Sequence, residues 1–144
     1  MNALPVGPQA VSDAESRTRY FEDLEKWGFD VPYCAYYAGL YDDVVGRFRP
    51  AYVEFAAEAR RRGYPAAIQI QSTVCAGDRV GIDQAQYNVD NKPEMRGSRN
   101  FFASFSSRAW RDYLKELTTI FVQQYGFDWV IFEEPMYAVD IPGT

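Results

Sequence analysis

Apolar positions along the chain alternate between helical and strand periods. Tyr20, Phe21, Leu24 and Trp27 stand at i, i+1, i+4 and i+7, which makes one helical stripe. Just before them, Ser12-Asp13-Ala14-Glu15 has capping-box spacing, with Ser12 accepting from the Glu15 amide and Glu15 reaching back to the Ser12 amide. Gly28 supplies the left-handed stop. Val31 to Tyr37 then reads as an aromatic strand, in which Pro32 gives up one ladder hydrogen bond. A second helix is predicted from about Pro50 through Tyr52, Val53, Phe55, Ala56 and Ala59 to Gly63, followed by a second strand over Ala66 to Cys75. A third helix, capped by Ser106 or Ser107, aligns Trp110, Tyr113, Leu114, Leu117, Ile120 and Phe121 and stops at Gly126. The third strand, Trp129 to Phe132, delivers Glu133-Glu134-Pro135.

A repeat joins these pieces: Gly28-Phe29-Asp30, Gly63-Tyr64-Pro65 and Gly126-Phe127-Asp128 each close a helix and open a strand. Strands alternating with helices call for parallel pairing through right-handed crossovers, so the fold class is α/β. The expectation is three parallel strand–helix units behind a leading helix, in one domain over residues 1–144 whose first 11 residues form a flexible leader. Three units are too few for a (β/α)8 TIM barrel, which takes at least about 200 residues. Two readings therefore stand, a small open sheet or the front part of a barrel. The uncovered third strand favours a partial barrel, with self-association through its exposed edge. The polar stretch Ala76 to Ser104 follows a strand end, and loops of that length are usually functional or disordered.

Composition narrows the chemistry. The 144 residues are 47% hydrophobic and 17% aromatic, enough for a single aromatic-rich core. A net charge of −5 gives no electrostatic reason to approach nucleic acid or an anionic membrane. The run Arg60-Arg61-Arg62 suits the negative end of a helix dipole. With no histidine, Ser-His-Asp triads, Cys-His dyads and His-ligated zinc are excluded, which leaves carboxylates, Tyr, Lys, Arg or Cys. Cys34 and Cys75 sit in apolar stretches as free thiols, and the absence of a signal-like or membrane-spanning run predicts a cytoplasmic protein. No phosphate-binding glycine motif occurs, and neither a cofactor nor a metal is expected. The oxygen-rich Asp83 to Glu94 lacks the spacing of a calcium loop and reads as solvated.

In parallel α/β architectures ligands bind at the carboxyl ends of the strands, where Tyr37 to Asp43, Gln71 to Asn100 and Glu133 to Tyr137 fall. Two carboxylates directly after Trp-Val-Ile-Phe are costly to bury unpaired. One reading holds Glu133 or Glu134 for proton transfer; the other leaves both in solvent. Neighbouring strand residues point to opposite sides, so the two cannot flank one bond together. Gln69 and Gln71 share one side of the second strand while Ile68 and Ile70 share the other.

The run Tyr125-Gly126-Phe127-Asp128-Trp129-Val130-Ile131-Phe132-Glu133-Glu134-Pro135, behind a helix beginning Ser-Arg-Ala-Trp-Arg-Asp-Tyr-Leu, resembles the fourth barrel strand of (β/α)8 glycoside hydrolases, in particular the clan of β-galactosidases and cellulases. There the strand ends in Asn-Glu-Pro, whose Glu is the general acid/base. The resemblance implies Glu134 as the catalytic acid/base and puts Glu133 where the family has a substrate-holding Asn. It also implies a carbohydrate substrate, and a nucleophile on a seventh strand this chain lacks, so the chain alone is expected to be hydrolytically silent. Within this chain Asp42, Asp43, Asp78 or Asp83 could stand in as the second carboxylate. Sugar rings stack on aromatic faces, which makes Tyr37, Tyr87 and Tyr137 candidate substrate contacts with Glu133 and Gln71, alongside Tyr36 and Tyr41. The competing functional reading is a non-catalytic α/β module that binds a carbohydrate or a protein. A barrel enzyme using a carboxylate for proton abstraction or aldol chemistry is a third.

Overall fold

Three glycines in the left-handed region, Gly28, Gly63 and Gly126 (φ 68°, 80° and 83°), turn the chain from helix into strand. After each, the aromatic residue returns its amide to the helix: Phe29 to Leu24, Tyr64 to Ala59 and Phe127 to Phe121 carbonyls. Where the repeat ends in Asp, the carboxylate pins the start of the adjacent strand. Asp30 accepts from the Asn2 amide at 3.0 Å and Asp128 from the Ala66 amide at 3.0 Å. The Asp amides answer by donating to the Asn2 and Ala66 carbonyls. A short sequence signature thus fixes both the helix stop and the strand alignment.

The computed structural model describes residues 2–35, 41–71, 73–75, 79–96 and 100–133. Strand β1 (Ala3–Val6) leads into helix α1 (Ala14–Trp27), β2 (Val31–Ala35), α2 (Arg49–Arg61) and β3 (Ala67–Gln71). Three short strands follow, β4 (Val74–Cys75), β5 (Met95–Arg96) and β6 (Asn100–Phe102), then α3 (Arg108–Thr119) and β7 (Trp129–Glu133). The main sheet has the order β1-β2-β3-β7 with every pair parallel, so the molecule is α/β as expected. Its strands number four, because residues 3–6 of the segment expected as a leader pair with β2 in register Ala3↔Val31 to Val6↔Cys34. Tyr20 of α1 locks this pairing, donating to the Leu4 carbonyl at 2.5 Å and accepting from the Tyr33 amide at 3.1 Å.

One face of the sheet, Leu4, Val6, Cys34, Ile68, Ile70 and Val130, joins the core built with Phe21, Leu24, Tyr52, Phe55, Leu117 and Phe121 from the helices. Aromatic rings carry much of this packing, with Tyr52 edge-on against Phe121 at 5.1 Å and Phe21 tilted against Phe55 at 5.5 Å between ring centres. Cys34 is fully buried, and burial alone pushes its thiol pKa up. Trp27, expected on the α1 stripe, is 67% exposed, with Lys26 Nζ 5.1 Å from its ring centre.

Helix ends follow the sequence with one correction. The cap of α1 is Asp13, whose carboxylate accepts from the Ser16 amide at 2.8 Å and from its hydroxyl at 2.9 Å. Ser12 instead donates to the Gln9 carbonyl and closes the preceding turn, Pro8–Val11. A charged acceptor suits a helix start better than a hydroxyl, and these bonds hold the Asp13 carboxyl below its ordinary value. Ser107 caps α3 as expected, accepting from the Trp110 amide at 3.1 Å while donating to Gln84 Oε1 at 2.7 Å. The arginine run serves the α2 terminus. Arg62 bridges Glu58 (2.6 Å) and Glu25 (3.0 Å), and Arg60 donates to the Gly126 carbonyl at 2.8 Å.

Within the long Ala76 to Ser104 stretch, residues 79–96 and 100–104 are described. A small antiparallel sheet, β4-β6-β5, reaches through it from β4, and Ala103 and Val80 sink into the core.

Replacing Gly126 by Ala forces a Cβ into the left-handed region and is expected to cost about 1–2 kcal/mol. Gly46→Ala, which meets nothing within 4 Å, is expected to be neutral. Urea unfolding of the two variants reads the difference. Removing the Ser107 hydroxyl (Ser107→Ala) takes a cap and a buried side-chain bond together and is expected to cost about 1–2 kcal/mol in the same assay. Because the Asp13 pKa is lowered on folding, its stabilising contribution is full above the unfolded value near 3.8 and is lost as pH falls through the lower folded value. Melting temperatures between pH 5 and 2 should therefore fall less steeply in Asp13→Ala.

Candidate functional site

The register of the parallel sheet decides which side chains meet at its carboxyl rim. Ala35 lies beside Gln69, Gln69 beside Ile131, and Gln71 beside Glu133. Since strand side chains alternate, Tyr33, Gln69, Gln71 and Glu133 all occupy the face opposite the helix-packed one. On β3 that face carries Gln69 and Gln71, beside Ala35 and Ile131 of the neighbouring strands, while Ile68 and Ile70 on the other are fully buried, as the alternation along β3 predicts.

Two hydrogen bonds organise the polar side chains of this face. The Tyr33 hydroxyl donates to Gln69 Oε1, and Gln71 Nε2 donates to Glu133 Oε2 at 2.8 Å. Gln69 is 6% exposed, so its amide is structural as well as polar. Gln71 and Glu133 are half-buried, one step closer to the rim. The Glu133 carboxylate is therefore not left in solvent at the end of an apolar strand; it is held from the neighbouring strand. Gln71 Oε1, by contrast, is buried and has no hydrogen-bond partner among the described residues.

The remaining candidates divide. Glu134, Tyr36, Tyr37 and Tyr137 lie outside the described residues, as does Asp78. Tyr87 sits on the excursion between β4 and β6, 47% exposed, bridged to Pro93. Tyr41 belongs to the helical layer instead of the rim. It packs 6.1 Å from Tyr113, donates to Glu116 Oε1 at 2.6 Å and lies under Arg79, 4.1 Å from its ring centre. The Glu116 hydrogen bond, with burial behind it, raises its phenol pKa. Tyr41 helps line a surface cavity of about 390 Å³ with Arg49, Glu116, Ile120, Gln124 and Tyr125, none of them at the ends of β3 or β7. In the oxygen-rich segment 83–94, Asn88 Oδ1 accepts from the Asp90 and Lys92 amides and closes a turn. Among the described residues no group of three or more metal-ligating side chains converges, and no helix is long and apolar enough to cross a membrane.

No family model matches the sequence, and no curated protein is similar to it in sequence. Solved structures do share the fold. A noncanonic maltogenic alpha-amylase from Thermotoga neapolitana superimposes with a TM-score of 0.64 at 11% identity, over 96% of this chain and 40% of its own. An alpha-xylosidase from a soil metagenome gives 0.62 at 12% identity, over 96% of this chain and 22% of its own. A hypothetical protein from Ruminiclostridium thermocellum gives 0.67 at 13% identity, over 94% of this chain and 78% of its own. At these identities the likeness is one of fold: a mixed α/β fold with a four-stranded parallel sheet, similar to a portion of glycoside hydrolases. The chain spans two fifths or less of the length of the two glycosidases.

Tyr33→Phe removes the donor that serves a buried amide carbonyl and is expected to cost about 1–3 kcal/mol in urea unfolding. A variant as stable as the parent would show that Gln69 finds another donor. Folded protein is expected to leave Cys34 unreactive toward a thiol reagent at neutral pH and to expose it on unfolding.

Proposed function

We propose that the chain is the N-terminal portion of a (β/α)8 carbohydrate-active enzyme of the glycosidase class, with Glu134 as the proton donor to the leaving glycosidic oxygen. The observation that carries this reading is the Gln71–Glu133 pair at the carboxyl rim of parallel strands, immediately before Glu134, in a fold similar to parts of glycosidases. Glu133 holds the neighbourhood of the acid, Gln71 and the tyrosines Tyr37, Tyr87 and Tyr137 contact the carbohydrate, and no cofactor enters. Glycoside hydrolysis needs a second carboxyl group about 5–9.5 Å away across the cleft, which the rest of the barrel supplies. The isolated chain is then hydrolytically silent and acts in a cytoplasmic protein of greater length.

A second reading is a compact α/β module that binds a carbohydrate or a protein without catalysis. It draws on the Ruminiclostridium thermocellum chain, which is only modestly longer than this one.

Expressed with its downstream coding sequence, the protein is expected to hydrolyse aryl glycosides. Glu134→Gln should lower kcat about 10²–10⁴-fold on substrates with poor leaving groups and much less on activated ones. Unchanged turnover on the poor leaving groups removes Glu134 from the acid role, and a loss confined to Glu133→Gln assigns that role to Glu133. The 144-residue chain by itself is expected to associate through the β7 edge, where Trp129 is 42% and Phe132 49% exposed. Light scattering that finds a monodisperse monomer at all concentrations contradicts the partial-barrel reading; association that Phe132→Lys weakens supports it.

A further inference from the structure

Gln69 and Gln71 are the same residue type on the same strand and the same face, two positions apart, yet their carbonyls fare differently. Gln69 Oε1, the inner one, receives the Tyr33 hydroxyl. Gln71 Oε1, at the rim, is buried without a donor among the described residues. Buried amide oxygens are nearly always satisfied, so this one calls for a donor from outside the described residues.

Its orientation is not arbitrary. A carboxylate only accepts, so Glu133 takes the amide N–H at 2.8 Å; a flipped amide would set oxygen against oxygen. Glu133 therefore fixes Gln71 with its carbonyl turned away from β7 as an acceptor. We infer that the rim between β3 and β7 is a subsite for a ligand hydrogen-bond donor, with Gln71 Oε1 as the acceptor and Glu133 as the residue that orients it. The inference rests on the carbohydrate reading above and narrows it: the ligand brings a hydroxyl, or an amine in the same place, to Gln71. A ligand offering only acceptors at that point is rejected, because the oxygen would stay unpaired.

Binding of methyl α-D-glucoside and of its fully O-methylated counterpart to the 144-residue chain tests this, read by calorimetry and by the side-chain ¹⁵N signal of Gln71. The methylated probe keeps every oxygen and loses every donor. The glucoside is expected to shift the Gln71 signal and the methylated probe to leave it unmoved. Gln71→Met should weaken glucoside binding at least about tenfold, since a paired hydrogen bond is worth about one such factor, and, because it also takes the amide donor from Glu133, it is expected to lower the melting temperature without unfolding the chain. Glu133→Gln, which lets both amides turn, should weaken binding several-fold without unfolding the chain. Equal binding by Gln71→Met and the parent, or by both probes, overturns the inference and leaves the carbohydrate reading intact. Should Gln71→Met fail to fold, the two probes against the unaltered chain give the same answer. A Gln71 signal that answers ethylammonium chloride but no glycoside keeps the donor subsite and removes the carbohydrate reading; a signal that answers none of the three probes overturns both.

Discussion

The parallel pairing of β3 with β7, in the register Gln71↔Glu133, is the constraint on which the site depends. Because side chains alternate along a strand, a slip of one residue would turn Glu133 toward the helix-packed face and place Phe132 beside the glutamines. The register is held from below by Asp128, whose carboxylate and amide both engage Ala66, and by Gly126, which releases the chain from the preceding helix. Packing holds it from one side, where Ile68, Ile70 and Val130 meet the helices. The chemistry at the top of the strands is thus set by three residues at their bottom.

Much of this was legible from residue types and spacing. The helical stripes, the three glycine stops, the Ser107 cap and the opposite faces of Ile68/Ile70 and Gln69/Gln71 follow from periodicity and from backbone freedom at glycine. Strand β1 was not legible: Ala3-Leu4-Pro5-Val6 is short and contains a proline, and its pairing depends on Asp30 and Tyr20, residues far along the chain. The antiparallel sheet of β4, β5 and β6 escaped for a similar reason, since strands of two or three residues carry no period. The Ser12 capping box matched a real pattern, yet the neighbouring carboxylate won the position because a charged acceptor is better placed at a helix start.

The site was legible in part. The pairing of two carboxylates with a strand end pointed to the rim, where Glu133 is held by Gln71, while Glu134 lies outside the described residues. What spacing along one strand does not reveal is who holds Glu133, because the answer lies 62 positions earlier, on a strand brought alongside by the crossover. Tyr41 follows a strand end in sequence, which points it to the rim with the other loop tyrosines. Its hydroxyl instead reaches Glu116 in the helical layer, where Arg79 covers its ring. Position after a strand marks a neighbourhood, and the loop's course then decides which layer the side chain joins.

The central claim is the side-by-side placement of Gln71 and Glu133, and paired cysteines test it most directly. Adjacent in-register strands bring Cα atoms into the range of about 4.4–6.8 Å that a disulfide requires. The double variant Gln71→Cys with Glu133→Cys is expected to form an intramolecular disulfide under mild oxidation, and Gln71→Cys with Phe132→Cys is expected to stay reduced. Cross-linking of the second pair in preference to the first would mean a register shifted by one residue, and the account of the site would fall with it.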